Sequence, residues 1–368
     1  MEKIGIICEY NPFHNGHLYH INKIKELHPD SLIILCLNGY FLQRGEISIL
    51  SKYDKTFLAL ENNVDIVIEL PVLFGTQSAD IFAYNSVYLL NELKVDKIIF
   101  GSESNNIEKI KEIVNIQDTK EYNEKIKVLL DKGINYPTAM AKALNIDFEF
   151  LPNDLLAISY VKAIDKINKN INGESILRTN NYLDNELESN IVSASNIREK
   201  LKNNKNIDKY VPNNVINFIK DIDTDLFFKL LKYKIVTCDN LDAYLDVDEG
   251  IEYRLKKYIK EVSSYEEYIN IIKTKRYTYN KLNRMFIHIL LNIKKEDAKE
   301  KLTYLKVLGF NKKGKNYLNS IKKYIDLSLK PDKNSKIYNI ELNSSILYDL
   351  LTNSNCMEKE LANKPIIY

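Results

Sequence analysis

The 368-residue chain has no tryptophan, and its four cysteines, Cys8, Cys36, Cys238 and Cys356, are scattered without a C-x-x-C pair. That spacing excludes a zinc ribbon or disulfide framework and reads as reduced thiols. Long apolar runs are missing too: Ser31 to Leu37 is strand-sized, far short of a membrane span. At the N-terminus, Glu9 interrupts the apolar stretch, which reads as a strand rather than a secretion signal; the expected location is cytoplasmic. No sign of charge dominates, because 52 Lys and Arg face 50 Asp and Glu, leaving a formal +2 that does not by itself indicate a polyanionic partner. Abundant lysine, asparagine and isoleucine read as a genome-wide bias, so lysine richness carries no functional weight. Neither a G-x-x-x-x-G-K-[ST] phosphate loop nor an H-E-x-x-H metal motif occurs. What remains is an ordinary globular balance, 45% hydrophobic and 28% charged, in a chain long enough for two domains.

Apolar β-type runs fall at Lys3–Cys8, Ser31–Leu37, Asp65–Leu70, Lys97–Phe100, Phe148–Leu151 and Ser175–Leu177, with helical patterns such as Lys52–Asn62 and Ala79–Leu93 between them. This alternation predicts an α/β fold, a mostly parallel sheet with helices on both faces. Ligands in such sheets lie beyond the C-terminal strand ends, where the polar pieces Asn38-Gly39, Gln43-Arg44-Gly45, Gly101-Ser102-Glu103, Pro152-Asn153-Asp154 and Arg178-Thr179-Asn180 occur. From about residue 200 the pattern turns helical, over Asn213–Asp221, Asp225–Lys232, Asp248–Lys260, Tyr265–Thr274, Lys281–Ile293 and Glu296–Leu308. Two domains are expected, 1–200 and a mostly helical 201–368.

The most informative stretch runs from Ile4 to His17, where a strand ends in a turn that delivers His14 and His17 into a helix. Such a turn offers unpaired N–H groups and the positive end of the helix dipole to a phosphate. Two histidines at i and i+3 fall on one side of the first turn and can reach the same anion. Gly16 is expected to clear space for close approach of a phosphate to the backbone. A second constellation, Val192-Ser193-Ala194-Ser195-Asn196-Ile197-Arg198, offers a serine-capped helix start near Asn196 with Arg198 on its first turn. It reads either as a plain cap or as a second clamp on a triphosphate. Arg178 is a third candidate cation, Gly101 a place for nucleotide to lie against backbone, and Asn153 a reader of adenine or ribose.

Such a site suits attack at the α-phosphorus with pyrophosphate leaving. There, positioning and charge stabilisation dominate and His14 and His17 need only donate to developing charge. Mg²⁺ would bridge phosphate oxygens with few protein ligands, and no tightly held metal is expected. In the helical half, Thr274-Lys275-Arg276-Tyr277-Thr278-Tyr279 sets Lys275 and Arg276 beside aromatic rings, a mixture suited to nucleic acid or, equally, to a solvated face over core tyrosines. Lys312, Lys313 and Lys315 form a weaker patch of the same ambiguity.

His14-Asn15-Gly16-His17 and Ser193-Ala194-Ser195-Asn196-Ile197-Arg198 resemble the two signatures of the HxGH nucleotidyltransferase superfamily. Cys8 to His17, Gln43-Arg44-Gly45, Asp65 to Pro71, Phe100 to Glu103, Pro152 to Ala157, Thr274 to Thr278 and His288 to Asn292 together resemble the tRNA(Met) cytidine acetate ligase family, over nearly the whole chain. The resemblance implies a Rossmann-like domain followed by a helical tRNA-binding domain. It also implies activation of acetate by ATP as acetyl-adenylate, then transfer of the acetyl group to N4 of the wobble cytidine of elongator tRNA(Met). Carried over residue by residue, the ATP site becomes Ile7, Cys8, Glu9, Tyr10, Asn11, Pro12, Phe13, His14, Asn15, Gly16, His17, Leu18, Tyr19 and His20, with Gly101, Asn153 and Arg178. Thr179-Asn180-Asn181-Tyr182-Leu183-Asp184 departs from the family's glycine-containing stretch. Two other readings compete: a nucleotide-cofactor adenylyltransferase, and a non-catalytic RNA-binding protein with a structural ATP site.

Overall fold

Five β-type runs of the first half become strands because each is bounded by turn residues and flanked by a helix long enough to cross over. The computed structural model describes residues 1–134, 136–144, 148, 150–178 and 190–368. In it, β1 (Lys3–Cys8), β2 (Leu32–Asn38), β3 (Ile66–Leu70), β4 (Lys97–Ser102) and β5 (Asn172–Leu177) pair in parallel in the order β5-β4-β1-β2-β3. Every residue of β2 is buried, as expected of a parallel strand covered on both faces. The order reverses at β1, whose neighbours are β2 on one side and β4 on the other. The crevice beyond the ends of β1 and β4 is therefore the topological switch point, where such sheets bind ligands.

The run at Phe148–Leu151 is not a strand at its described residues. Leu151 is the extended cap of a helix, Pro152–Ile167, and Phe148 and Phe150 pack edge to face at 5.0 Å. Proline at the first helical position favours that helix start over a continuing strand.

Beyond residue 200 the helices Thr224–Thr237, Tyr265–Ile272 and Tyr279–Leu290 pack through their rings, Tyr268 stacking on Phe286 at 5.7 Å, and Ile251–Tyr258 joins them where the Tyr268 hydroxyl donates to the Leu255 carbonyl at 3.0 Å. Asn213–Asp221 and Glu296–Leu308 do not form the α-helices their patterns suggested. Each holds one 3₁₀ turn, Val215–Phe218 and Lys295–Lys299. The chain then enters β6 (Val307–Phe310), antiparallel to β3, and a final short strand, β7 (Ile366–Ile367), lies beside β6. Tertiary contact overrides local pattern here. A Cβ at Gly309 would lie 2.7 Å from Thr56 and 2.9 Å from Leu60, both in the helix α2 (Lys52–Glu61). Only glycine lets β6 approach so closely.

The same returning segment closes a buried ionic cluster. Lys52, fully buried on α2, holds Glu69 of β3, Glu341 at 2.9 Å and Glu360 at 2.7 Å, while Lys306 pairs with Glu360 and with Glu69 at 3.4 Å. Burial alone would lower the Lys52 pKa, but Glu341, Glu360 and Glu69 hold it well above the usual lysine range. Three carboxylates against two ammonium groups leave one in excess. Burial, then the Glu341 charge, pushes the Glu69 carboxyl up to about 7.

Candidate active site

The loop after β1 is capped by its own histidines. His14 is the extended N-cap of α1 (Asn15–Leu27), so the helix starts two residues before the predicted His17. His14 Nδ1 accepts the Gly16 N–H at 3.0 Å, and His17 Nδ1 accepts the His14 N–H at 3.3 Å. This is a capping box built from imidazoles in place of hydroxyl and carboxylate. An imidazole that accepts at Nδ1 carries its proton at Nε2 when neutral, so both rings offer an Nε2–H donor. The rings stack at 3.8 Å, and Tyr10 abuts His17 edge-on at 4.6 Å. Burial, then the Arg178 and Arg198 charges, pushes His14 down to about 3; burial, then His14 and Arg178, pushes His17 well below its usual value. At neutral pH both are uncharged donors.

Gly16 lines the cavity and meets a further constraint that its local sequence does not show. A Cβ there would lie 2.8 Å from His14 Cε1, so the glycine makes room for the capping ring itself. Asn15 Nδ2 donates to the Asn190 and Lys209 carbonyls at 2.8 and 2.9 Å, and Asn11 Oδ1 accepts from Ile49 N at 2.9 Å. The Asn11–Pro12 peptide is cis.

A cavity of about 250 Å³ opens at the switch point, lined from the first loop by Ile7, Cys8, Glu9, Tyr10, Asn11, His14, Gly16, His17, Tyr19 and His20. Pro12, Phe13, Asn15 and Leu18 do not line it; Phe13 is fully buried behind it. Gly101, Asn153, Arg178, Ser195 and Arg198 close the other sides, so residues far apart in the chain converge on one space. Arg178 Nη1 donates to Asn153 Oδ1 at 3.3 Å, and Glu103 accepts from both the Asn153 N–H and, at 2.9 Å, the Asp154 N–H. Across from Gly101 stands the Arg178 side chain, 3.2 Å from where a Cβ would be.

Ser193, not Ser195, caps the helix Ala194–Lys202, accepting from Asn196 N at 3.2 Å. Arg198 is already committed: it donates to the Asn11 carbonyl at 2.7 Å and pairs with Glu46 at 2.6 Å. It therefore ties the histidine loop to the loop after β2 while still lining the cavity. Gln43, Arg44, Glu46, Leu156 and Tyr160 also line the cavity; the sequence puts Gln43-Arg44 at the ligand end of the sheet without a site role, and Glu46 and Tyr160 carry no signal there. Gln43-Arg44 was the available signal, a polar pair following the second apolar run.

Lys275 and Arg276 lie outside this cavity. Both are exposed; Arg276 pairs with Glu249 and borders a second cleft of about 830 Å³, with Lys162, Lys166, Lys281, Tyr84 and Tyr136 on its walls. The two spaces share the Pro152–Ile167 helix, Asn153, Leu156 and Tyr160 facing the first and Leu155, Ile158 and Lys162 the second. Lys313 is spent on the Ser31 carbonyl at 2.7 Å, while Lys312 and Lys315 stay exposed. Thr179–Asp184 lies outside the described residues. Among the described residues no cluster of three or more histidine, cysteine, aspartate or glutamate side chains could hold a metal.

The family model HIGH Nucleotidyl Transferase matches residues 1–364. The tRNA(Met) cytidine acetate ligase of Fusobacterium nucleatum is 40% identical over 338 residues, covering 87% of this chain and 85% of that protein. The one from Clostridium tetani is 34% identical over 402 residues, covering 100% of both. A crystal structure of Thermotoga maritima TmcAL bound with alpha-thio ATP superposes with a TM-score of 0.85 at 25% identity, covering 100% of this chain and 99% of that one. The apo form of the same protein gives 0.88 at 26% identity, with the same coverage.

Proposed function

The chain belongs to the HIGH nucleotidyl transferase family and, within it, to the tRNA(Met) cytidine acetate ligases; from that membership we propose how its site makes N4-acetylcytidine from ATP, acetate and tRNA(Met). The enzyme is an ATP-dependent ligase. A carboxylate oxygen of acetate attacks the α-phosphorus and pyrophosphate leaves; the amine of the wobble cytidine then attacks the acetyl carbon and AMP leaves. One observation carries the reading: two uncharged imidazoles, each with its proton fixed on Nε2, meet at a helix start beside the switch-point cavity.

Negative charge grows on the α-phosphate oxygens during adenylation. Donors already aimed and desolvated stabilise that charge more than water does, because they need no reorganisation. His14 and His17 supply two such donors, and the start of α1 adds its dipole. Acetate is already anionic at neutral pH and needs no base for this step. Arg178, held by Asn153, supplies the full positive charge across the cavity. ATP enters as its Mg²⁺ complex. The metal is read as part of the substrate, bridging its phosphate oxygens, and no step is assigned to it.

We assign activation to residues 1–200 and tRNA binding to the helical part of 201–368 together with the wall of the second cleft that residues 1–200 supply, Tyr84, Tyr136, Lys162 and Lys166. The second cleft suits the anticodon loop: lysines and Arg276 can meet phosphates, and the half-exposed Tyr84 and Tyr136 can stack on unpaired bases. Lys275 stands beside Arg276 on the same exposed turn. An already unpaired base costs less to present than one drawn from a duplex. No described helix is long and apolar enough to cross a membrane, and we expect the reaction in the cytoplasm with its tRNA.

Mass spectrometry of tRNA nucleosides after incubation with MgATP and acetate tests the reading. N4-acetylcytidine, AMP and pyrophosphate are expected, and acetyl-coenzyme A should not replace ATP and acetate. A small-molecule dinucleotide formed without tRNA would overturn it.

A further inference from the structure

We propose that Glu9 is the base that accepts the proton of the cytidine amine in the second half-reaction, an assignment that rests on the ligase reading above. The amine is a weak nucleophile whose proton becomes acidic only as the C–N bond forms, so the transfer step needs an acceptor within hydrogen-bond reach. Glu9 sits at the end of β1 and lines the cavity. Its Oε1 is pinned by the Asn38 side-chain amide at 3.0 Å and the Gln43 N–H at 2.7 Å, while Oε2 has no hydrogen-bond partner among the described residues. One oxygen is anchored and the other is left available.

Its position favours the acceptor side. Gly45, two residues beyond Gln43, packs directly on the Tyr279–Leu290 helix, where a Cβ would come within 2.3 Å of Arg284 N. The loop that holds Glu9 is thus the loop that the helical half touches. Beneath it, the buried Lys55 donates to the Asn38 and Gly39 carbonyls at 3.2 and 2.7 Å, fixing the segment that carries the Asn38 amide.

The other titratable groups lining the cavity are poor candidates. His14 and His20 are pushed down to about 3 and about 4 by burial and then by cationic neighbours, so they are too weakly basic to take up a second proton at neutral pH. His17 is likewise depressed. Burial pushes the Cys8 thiol up to about 12 and Tyr10 and Tyr160 well above their usual values, so these keep their protons. Glu46 is engaged by Arg198. In the step itself, the N4 lone pair forms the C–N bond, the acetyl C–O bond to phosphate breaks, AMP departs with that electron pair, and one N4 proton moves to Glu9 Oε2 and on to solvent.

Glu9→Gln tests this cleanly. The carboxamide oxygen can accept both bonds now made to Oε1, with the NH₂ standing where Oε2 was, so shape is kept and proton acceptance is lost. Single-turnover acetyl transfer to tRNA should fall at least about 100-fold more than acetate-dependent ATP–pyrophosphate exchange, the size expected for a general base. Exchange that stays measurable, even if reduced, reports a folded site, and Glu9→Asp should recover part of the transfer. Equal losses in both half-reactions would overturn the proposal and make Glu9 a nucleotide ligand; undiminished transfer would overturn it too. Absence of exchange in the unmodified enzyme would instead sink the ligase reading beneath it.

Discussion

Replacing His14 with asparagine should make the protein more acid-resistant, by an amount that can be worked out in advance. His14 is 4% exposed, and its pKa of about 3 lies below the ordinary 6.5 it regains on unfolding. Between those values the unfolded chain binds a proton that the folded chain refuses, so stability is intact above pH 6.5 and falls as the pH drops toward 3. Each pH unit in that window costs about 1.4 kcal/mol, so going from about pH 7 to about pH 5 removes about 2 kcal/mol through this one residue. Asparagine is among the best N-caps and can accept the Gly16 N–H, yet it does not titrate. Carboxylates and His20 are common to both proteins and cancel, and in the variant burial and Arg178 still hold His17 down. Because the chain lacks tryptophan, urea unfolding is best followed by far-UV circular dichroism. The His14→Asn protein should lose about 2 kcal/mol less than the parent over that interval. Equal losses would mean that His14 is charged in the folded state, and the argument that it acts as a neutral donor would fail with it.

Three further outcomes follow from the same structure. Lys52→Met leaves Glu69, Glu341 and Glu360 facing one another with only Lys306; breaking a buried pair in this way costs about 3–5 kcal/mol, read as a lower urea midpoint, and a loss under about 1 kcal/mol would contradict the cluster's geometry. Gly45→Ala meets both a left-handed backbone (φ 77) and the Arg284 amide; it should destabilise by more than about 1 kcal/mol and open the Tyr279–Leu290 helix to limited proteolysis, whereas unchanged proteolysis would refute the contact. Arg276→Gln should weaken tRNA binding and make the salt dependence of the logarithm of the binding constant shallower by about one unit; an unaltered slope would remove Arg276 from the nucleic-acid surface.

Much of the active centre was readable before folding was considered, because its parts are local. A strand, a turn, a histidine pair and a helix start occupy adjacent positions, and their backbone geometry follows from short-range sterics and capping. The five parallel strands were legible for the same reason, as was the ligand side of the sheet. Sequence alone went astray where a residue's partner lies far along the chain. Nothing in the local sequence tells that Arg198 holds Glu46 and the Asn11 carbonyl. Nothing local tells that a Cβ at Gly16 would also collide with the His14 ring. Glu296–Leu308 carried a helical pattern, yet Gly309 fits only as a strand against α2, with Lys306 drawn into the buried ion cluster beside it. Local propensities differ by tenths of a kcal/mol per residue, whereas burying a charge or closing a sheet edge involves several, so long-range packing decided those segments. The placement of Glu9, with one oxygen held by Asn38 and Gln43 and the other left available, likewise existed only once β1, β2 and the loop beyond it had come together.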